Sequence, residues 1–131
     1  MALQQAHGTV HLHGGGQVHA HLAGGKFHGT DPEQLFACGY AACFGGAVEF
    51  AARQMGVNLT AAVQVDSAVS LLKRDEGGFT IGVELLVHLE GVDDAQGQAV
   101  VDKAHTICPY SNATRGNIEV STSVVATPAA A

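Results

Sequence analysis

The fold is decided by residues 29–44, which read GTDPEQLFACGYAACF. The first part of this stretch is typical of a helix start. Either Asp31 caps the helix with Pro32 as its first residue, or Thr30 and Glu33 form a capping box. The apolar residues that follow predict a long helix.

This helix is expected to run to about Met55, with Gly56 just past its end in a left-handed conformation. Because it is apolar nearly all round, we expect a sheet or another subunit to cover it. Its longest charge-free run, residues 34–48, is too short to span a bilayer, and Glu49 and Arg53 follow directly. We therefore predict a buried helix.

Strand-like segments lie on both sides of the helix. Residues 9–13 and 17–22 alternate polar and apolar around a triple glycine, the pattern of a β-hairpin, and a third extended piece is expected near residues 26–28. Residues 61–72 and 79–89 flank a charged, Gly-rich tip. They predict a second hairpin.

The last third of the chain predicts a second helix and a final strand. Asp93 or Asp94 caps the helix, and Pro109 stops it. One face of the helix carries Val100, Ala104, Ile107 and Cys108. A loop, residues 110–117, leads to the strand, and residues 126–131 are expected to fray. One side of the strand carries Ile118, Val120, Thr122 and Val124.

The order hairpin, long buried helix, hairpin, helix, strand gives an α+β fold. With 131 residues, 47% of them hydrophobic, the chain is expected to form a single domain, 1–131, with a real core. A chain this short hides its apolar surface incompletely, so a homo-oligomer is expected.

Charge and cysteine content exclude several classes of protein. The formal net charge is −6 with only 6 Lys and Arg, which argues against nucleic acid and against anionic membrane surfaces as partners. The first residues lack the basic start and the apolar segment of a secretory signal. Three cysteines are an odd and sparse count for a disulfide-stapled secreted domain, so a cytoplasmic location is expected.

Two cysteines lie in contrasting settings. Cys43 is in the apolar helix, whereas Cys108 ends a polar helix beside Pro109. This contrast suggests a nucleophile in an apolar pocket and a mobile partner that can form a disulfide with it. Buried structural thiols are the alternative interpretation. Cys38 lies about 140° round the helix from Cys43, so we interpret it as core filling.

Three blocks resemble the organic hydroperoxide resistance (Ohr) proteins of the OsmC/Ohr family. They are GTDPEQLF (29–36), GYAACF (39–44) and AHTICPYSNATRGNI (104–118). The resemblance covers roughly residues 17–125, and the last two blocks are specific to Ohr. It implies an OsmC/Ohr-like fold in a bacterial, cytosolic, intertwined homodimer with two active sites at the subunit interface. It also implies thiol-dependent reduction of organic hydroperoxides to alcohols, with reducing equivalents from lipoylated proteins through dihydrolipoamide.

The family pattern implies residue roles. Cys43 corresponds to the peroxidatic cysteine, Cys108 to the resolving cysteine and Glu33 to the carboxylate that orients the site. In this chemistry a thiolate attacks the peroxide and leaves a sulfenic acid, with which the second thiol condenses, and no cofactor is needed. Apolar walls suit bulky alkyl or lipid peroxides. The expected wall residues are Leu35, Phe36, Tyr40 and Phe44.

Burial should raise the pKa of Cys43, so a cation or a hydrogen-bond donor must oppose it. Family members usually carry an arginine in the first hairpin, whereas this chain has none before Arg53 and its His- and Gly-rich start, residues 1–16, looks shortened. We rank Lys26 and a hairpin histidine such as His7 equally as replacements. The remaining candidates are His11, His13, Arg53 and Arg115.

Glu33 and Cys43 are ten residues apart, which is about 15 Å along a straight helix. A carboxylate at that distance cannot touch the sulfur. Either Glu33 reaches the site of Cys43 from the other subunit, or a helix break lies between them. Simple helix capping is a further interpretation of Glu33.

Two other functions remain open from the sequence. One is a broader OsmC-type peroxidase with a different peroxide preference. The other is a non-catalytic, His-rich metal-binding protein on the same fold, because His11 with His13 and His19 with His21 each share a strand face. No spacing here matches a zinc signature, so solvated histidines are preferred and no metal site is predicted.

Overall fold

A computed structural model describes the backbone of residues 2–13 and 17–23, and the backbone and side chains of residues 32–129. The elements in these ranges are β1 (Ala2–His13), β2 (Gln17–Ala23), α1 (Pro32–Gln54), β3 (Gln64–Lys73), β4 (Phe79–Glu90), α2 (Asp94–Ile107), α3 (Pro109–Thr114) and β5 (Val120–Thr127). The predicted α+β class is confirmed.

The strands form one five-stranded sheet in the order β2-β1-β3-β4-β5. Both predicted hairpins are confirmed, since β1 pairs antiparallel with β2, and β3 with β4. β1 is longer than expected and starts at Ala2, because it also pairs with β3 along its length. β5 joins β4 in parallel, and α2 provides the crossover that a parallel pair requires.

α1 packs across the sheet, chiefly against β1 and β3, and it also packs against α2. Its fully buried residues include Tyr40, Phe44 and Val48. The predicted cover by a sheet is therefore confirmed. The cover is incomplete, because Phe50 and Met55 of this helix region are exposed.

The end of α1 follows the prediction. Gly56 has φ of 68°, and its N–H donates to the carbonyl of Arg53 at 3.2 Å. The N–H of Val57 donates to the carbonyl of Ala52 at 2.9 Å. These two bonds form a Schellman motif, which satisfies carbonyls that the helix end would leave unpaired. Pro32 is the first helical residue, but its proposed caps lie outside the described residues, as does the extended piece near 26–28.

α1 is long and apolar enough, by length and composition, to cross a membrane, with a mean hydropathy of 1.5 in its best window. The charge-free run of residues 34–48, which by itself is too short to span a bilayer, is shorter than this helix. Half of that window is buried inside the fold, as in the core helix of a globular protein.

α2 begins after Asp93, whose side chain accepts a hydrogen bond from the N–H of Gln96 at 2.8 Å. This assigns the cap to Asp93 rather than to the residue after it. The predicted apolar face is confirmed: three of its residues are completely buried and the fourth is partly buried against the core. They are Val100, Ala104 and Cys108, with Ile107 at the edge.

The loop predicted for residues 110–117 is wrong, because α3 occupies most of it. Pro109 does end α2, as expected. Proline is also well suited to the first position of a helix, where its missing N–H costs no hydrogen bond. The N–H of Asn112 donates to the carbonyl of Cys108 at 3.0 Å, so a new helix begins at once.

β5 turns alternate residues toward the core, with Val120, Thr122 and Val124 partly buried. Ile118 precedes the strand rather than belonging to it. The strand also extends two residues into the expected frayed tail, through Thr127, because its last residues still pair with the end of β4.

Candidate active site

The structure brings the two predicted redox cysteines together. Cys43 is half-buried in the middle of α1, and Cys108 is completely buried where α2 gives way to α3. The thiol of Cys108 donates a hydrogen bond to Sγ of Cys43 at 3.3 Å. Since a disulfide bond is about 2.05 Å long, the sulfurs would have to approach by little more than about 1 Å to form one.

Burial, with a smaller contribution from the adjacent Cys108, raises the pKa of Cys43 to about 11. The backbone N–H of Tyr110 donates a hydrogen bond to the sulfur, which lowers this pKa. The predicted effect of burial is thus confirmed. A thiol with this pKa is ionised to only about one part in 10,000 at pH 7, so these neighbours alone do not make a ready nucleophile.

Within residues 32–129, no positively charged side chain lowers the pKa of Cys43. Arg115 donates instead to the carbonyl of His105 at 2.6 Å, and Arg53 lies 5.9 Å from the centre of the Phe50 ring. Neither arginine therefore replaces the cation at this sulfur. Of the favoured candidates, Lys26 lies outside the described residues, and His7 belongs to β1, where only the backbone is described.

Glu33 lies in the first turn of α1, and the helix continues unbroken from Pro32 to Gln54. At 1.5 Å per residue, about 15 Å along the axis separate Glu33 from Cys43. The alternative of a helix break is therefore wrong. Glu33 cannot contact the sulfur of its own chain.

Three aromatic rings form a wall along the helix face that carries Cys43. The rings of Phe36 and Tyr40 are 6.0 Å apart, and the ring of Tyr110 lies 5.8 Å from the first and 5.6 Å from the second. Phe36, Tyr40 and Cys43 are spaced i, i+4 and i+7, so they share one face of α1. We call Phe36, Tyr40 and Tyr110 the aromatic wall.

Tyr110 was not among the predicted wall residues, yet it completes this wall. Gly39 makes its position possible, because a Cβ there would lie 3.0 Å from the Tyr110 hydroxyl. A spacing that short is tighter than ordinary van der Waals contact. The sequence signal that could have found Tyr110 was its place two residues after Cys108.

The other two predicted wall residues lie elsewhere. Leu35 is 61% exposed, because one residue along a helix turns the side chain by about 100° away from the face of Phe36. Phe44 is completely buried, and its ring centre is 4.4 Å from that of His105. Phe44 therefore belongs to the core behind the two thiols. Cys38, expected as core filling, is only partly buried, and burial raises its pKa.

A chain of polar side chains around Cys108 was not predicted from the sequence. The hydroxyl of Tyr40 lies 2.8 Å from Oγ of Ser111, which lies 2.9 Å from Nδ1 of His105. Nε2 of His105 in turn lies 2.8 Å from Oγ1 of Thr122. We call these four residues the clasp. Its only sequence signal was that two members stand in the block that contains Cys108.

No group of three or more metal-ligating side chains is close enough to hold a metal ion among residues 32–129. The histidine pairs belong to β1 and β2, where the register places His11 opposite His19 but only the backbone is described. The metal-binding alternative therefore stays a prediction about that hairpin.

Comparison with known proteins gives the family. The model of OsmC-like proteins matches residues 23–123. The chain belongs to the OsmC-like family. Its similarity to the organic hydroperoxide resistance protein of Xanthomonas axonopodis pv. citri (strain 306) is 53% identity over 100 residues, covering 76% of this chain and 70% of that protein.

Solved structures of OsmC-like proteins share the fold. The organic hydroperoxide resistance protein OhrB of Bacillus subtilis has a TM-score of 0.71 at 38% identity, covering 89% of this chain and 96% of that one. An organic hydroperoxide resistance protein of Legionella pneumophila has a TM-score of 0.72 at 39% identity, covering 95% and 98%. The family resemblance inferred from the three sequence blocks is confirmed.

Proposed function

We propose that this OsmC-like protein is a thiol peroxidase that reduces organic hydroperoxides to alcohols. The observation that carries the proposal is the 3.3 Å contact between the sulfurs of Cys43 and Cys108 beside the aromatic wall. Relatives at about half identity that are named organic hydroperoxide resistance proteins support the choice of substrate class.

The first chemical step belongs to Cys43. Its thiolate attacks the outer oxygen of the hydroperoxide, the O–O bond breaks, and the alkoxide takes up a proton and leaves as the alcohol. The sulfur is thereby oxidised to a sulfenic acid and the peroxide is reduced by two electrons. Cys43 is suited to this role because it is the half-buried one of the two thiols, while Cys108 is fully enclosed.

The second step belongs to Cys108. Its sulfur attacks the sulfenic sulfur of Cys43, a disulfide forms, and the sulfenic oxygen leaves as water. A dithiol then reduces the disulfide by two successive thiol exchanges and becomes a cyclic disulfide itself. We assign this step to dihydrolipoamide carried on a lipoylated protein, or to another dithiol of similar chemistry.

The aromatic wall selects the peroxide. Phe36 and Tyr110 are only partly covered and offer apolar ring surface at the helix face that carries Cys43, with the buried Tyr40 packed against both rings. Such a surface favours alkyl or lipid hydroperoxides over the small polar hydrogen peroxide. Tyr110 remains 37% exposed, so its ring also lies within reach of a ligand from solvent.

A homodimer completes the site in this proposal. Because Glu33 lies about 15 Å from Cys43 along α1, it serves a thiolate only from the partner subunit. The exposed apolar side chains of the helix region, Phe50 and Met55 among them, are suited to burial in such an interface. A cation from the first hairpin region, Lys26 or His7, then lowers the pKa of Cys43.

We place the protein in the bacterial cytoplasm. Its three cysteines are an odd and sparse count for a disulfide-stapled secreted domain, which favours a reducing compartment. The acidic net charge of −6 argues for a small-molecule substrate and a protein reductant rather than nucleic acid or an anionic membrane surface.

Cysteine variants test whether Cys43 performs the first step and Cys108 the second. Cys43→Ser should lower the turnover of cumene hydroperoxide at least about 1,000-fold, because the nucleophile is lost. Cys108→Ser should consume close to one equivalent of peroxide per subunit and then stall, with sulfenic or sulfinic acid on Cys43 in the mass spectrum. Cys38→Ser is the matched control and should cycle as the wild type does. Equal activity of the Cys43 and Cys108 variants would contradict the proposal.

A further inference from the structure

Cys108 lies at a junction that helical hydrogen bonds alone do not fix. It ends α2 and precedes α3, and its backbone is extended, with φ of −64° and ψ of 121°. Pro109 follows and supplies no N–H. The place of the Cys108 sulfur therefore depends on how α2 and α3 are held relative to each other and to α1.

The clasp ties all of these elements together. His105 in the last turn of α2 contacts Ser111 in α3 at 2.9 Å, so one hydrogen bond joins the two helices across the junction that contains Cys108. Ser111 also contacts the Tyr40 hydroxyl at 2.8 Å, which attaches the junction to the helix that carries Cys43. Thr122 attaches the other side of His105 to β5 at 2.8 Å.

Two hydroxyls of the clasp are buried and therefore need hydrogen-bond partners. Tyr40 is completely buried and Ser111 is only 3% exposed. Their hydroxyls would each cost free energy in such a place without a partner, and within the clasp each has one. Apolar side chains of the same size would fill the space equally well, but they would not fix the helices at a set angle and distance.

Arg115 reinforces the junction from outside. Its guanidinium donates to the carbonyl of His105 at 2.6 Å and to Oδ1 of Asn112 at 2.8 Å. Burial and this nearby positive charge lower the pKa of His105. The imidazole is therefore neutral at neutral pH, with one ring nitrogen donating and the other accepting, and the hydroxyls of Ser111 and Thr122 can serve either nitrogen.

We propose that the clasp holds Cys108 in place to attack the oxidised Cys43, which makes His105 and Ser111 positioning residues for the second step of the cycle. This inference rests on the proposed function, because it assigns a device to the resolving reaction. Of the clasp residues, His105, Ser111 and Thr122 stand outside the aromatic wall, contact no peroxide and take no part in the first step. Its loss lets the Cys108 segment drift, and a displacement of about 1 Å can slow a reaction between positioned groups up to about a hundredfold.

A single-turnover experiment separates the two steps. Fully reduced protein is mixed with one equivalent of cumene hydroperoxide, and samples are taken with dimedone to trap sulfenic acid and iodoacetamide to block thiols. In Ser111→Ala, peroxide should disappear at the wild-type rate, while the Cys43–Cys108 disulfide forms at least about tenfold more slowly. The dimedone adduct on Cys43 should accumulate accordingly.

Thr122→Val is a second variant that removes one end of the clasp while keeping the side-chain volume, and it should slow disulfide formation to a smaller extent. Ser123→Ala, on the exposed side of β5, is the matched control and should leave both rates unchanged. A merely structural effect would slow both steps together. Wild-type disulfide rates in the Ser111 and Thr122 variants would overturn the inference, whereas absence of both adduct and disulfide in wild-type protein would contradict the proposed function itself.

Discussion

At the scale of single residues, the surroundings of Cys43 favour its protonated thiol, whereas its proposed role as a nucleophile needs the thiolate. Burial raises its pKa to about 11, and among the described neighbours only the backbone N–H of Tyr110 lowers it. Below its pKa a thiol loses about tenfold in thiolate fraction for each unit by which that pKa rises. The rate of peroxide attack at pH 7 therefore depends on a cation that lowers the pKa.

Alkylation of Cys43 as a function of pH identifies that cation. In a Cys38→Ser, Cys108→Ser background only Cys43 reacts, and the midpoint of its reaction with monobromobimane should lie well below 11. Lys26→Met or His7→Gln, whichever removes the cation, should move this midpoint upward and lower the rate at pH 7 about tenfold per unit. Lys73→Met, at the exposed hairpin tip, is the control and should have no effect. If neither variant moved the midpoint, both candidates would be wrong.

At the scale of elements, the turn after β4 is constrained by both its backbone conformation and its neighbours. Gly91 has φ of 96°, and its N–H donates to the carbonyl of Thr127 at the end of β5. A Cβ on Gly91 would lie 2.9 Å from Cγ2 of Thr60 and 3.0 Å from the carbonyl oxygen of Asn58. Both the backbone conformation and the space thus demand glycine.

Gly91→Ala should lower the free energy of unfolding by about 2–4 kcal/mol, because left-handed strain and the close approach act together. Gly116 isolates the first of these effects, since it has φ of 80° and open space around it. Gly116→Ala should therefore cost only about 1 kcal/mol. Urea denaturation followed by circular dichroism measures both. Equal losses of unfolding free energy in the two variants would show that the close approach to residues 58–60 does not affect stability.

At the scale of the whole molecule, the straight course of α1 decides how an active site can be assembled. Because Glu33 and Cys43 lie about 15 Å apart along one unbroken helix, they can share a site only across a dimer. In a symmetric dimer each subunit would then give its Cys43 to one site and its Glu33 to the other.

Subunit mixing tests this arrangement. Glu33→Ala and Cys43→Ser homodimers should each be nearly inactive. A mixed dimer of the two has one intact site, so random re-association of equal amounts should restore about a quarter of the wild-type peroxidase activity. A mixture of Cys43→Ser with Cys108→Ser serves as the control, and it should not recover, since these two residues act within one chain. Failure of the first mixture to recover would place Glu33 outside the site.

The sequence by itself determined most of the elements. Helix and strand periodicities, the glycine after α1 and the Asp93–Asp94 pair before α2 are local signals, and they predicted the two hairpins and two of the three helices. The sequence missed α3 because Pro109 signals both the end of one helix and the start of another. It also singled out Cys43 and Cys108 as the proposed redox pair, because each stands in a distinctive local setting.

Only the tertiary structure decided which of these residues meet. The two sulfurs come from positions 65 residues apart, and the Tyr40–Ser111 bond joins positions 71 apart. Local patterns carry no information on such contacts, since the packing of α2 and α3 against α1 creates them. That packing brought Tyr110 into the aromatic wall, left Leu35 exposed, and surrounded Cys108 with a hydrogen-bonded clasp.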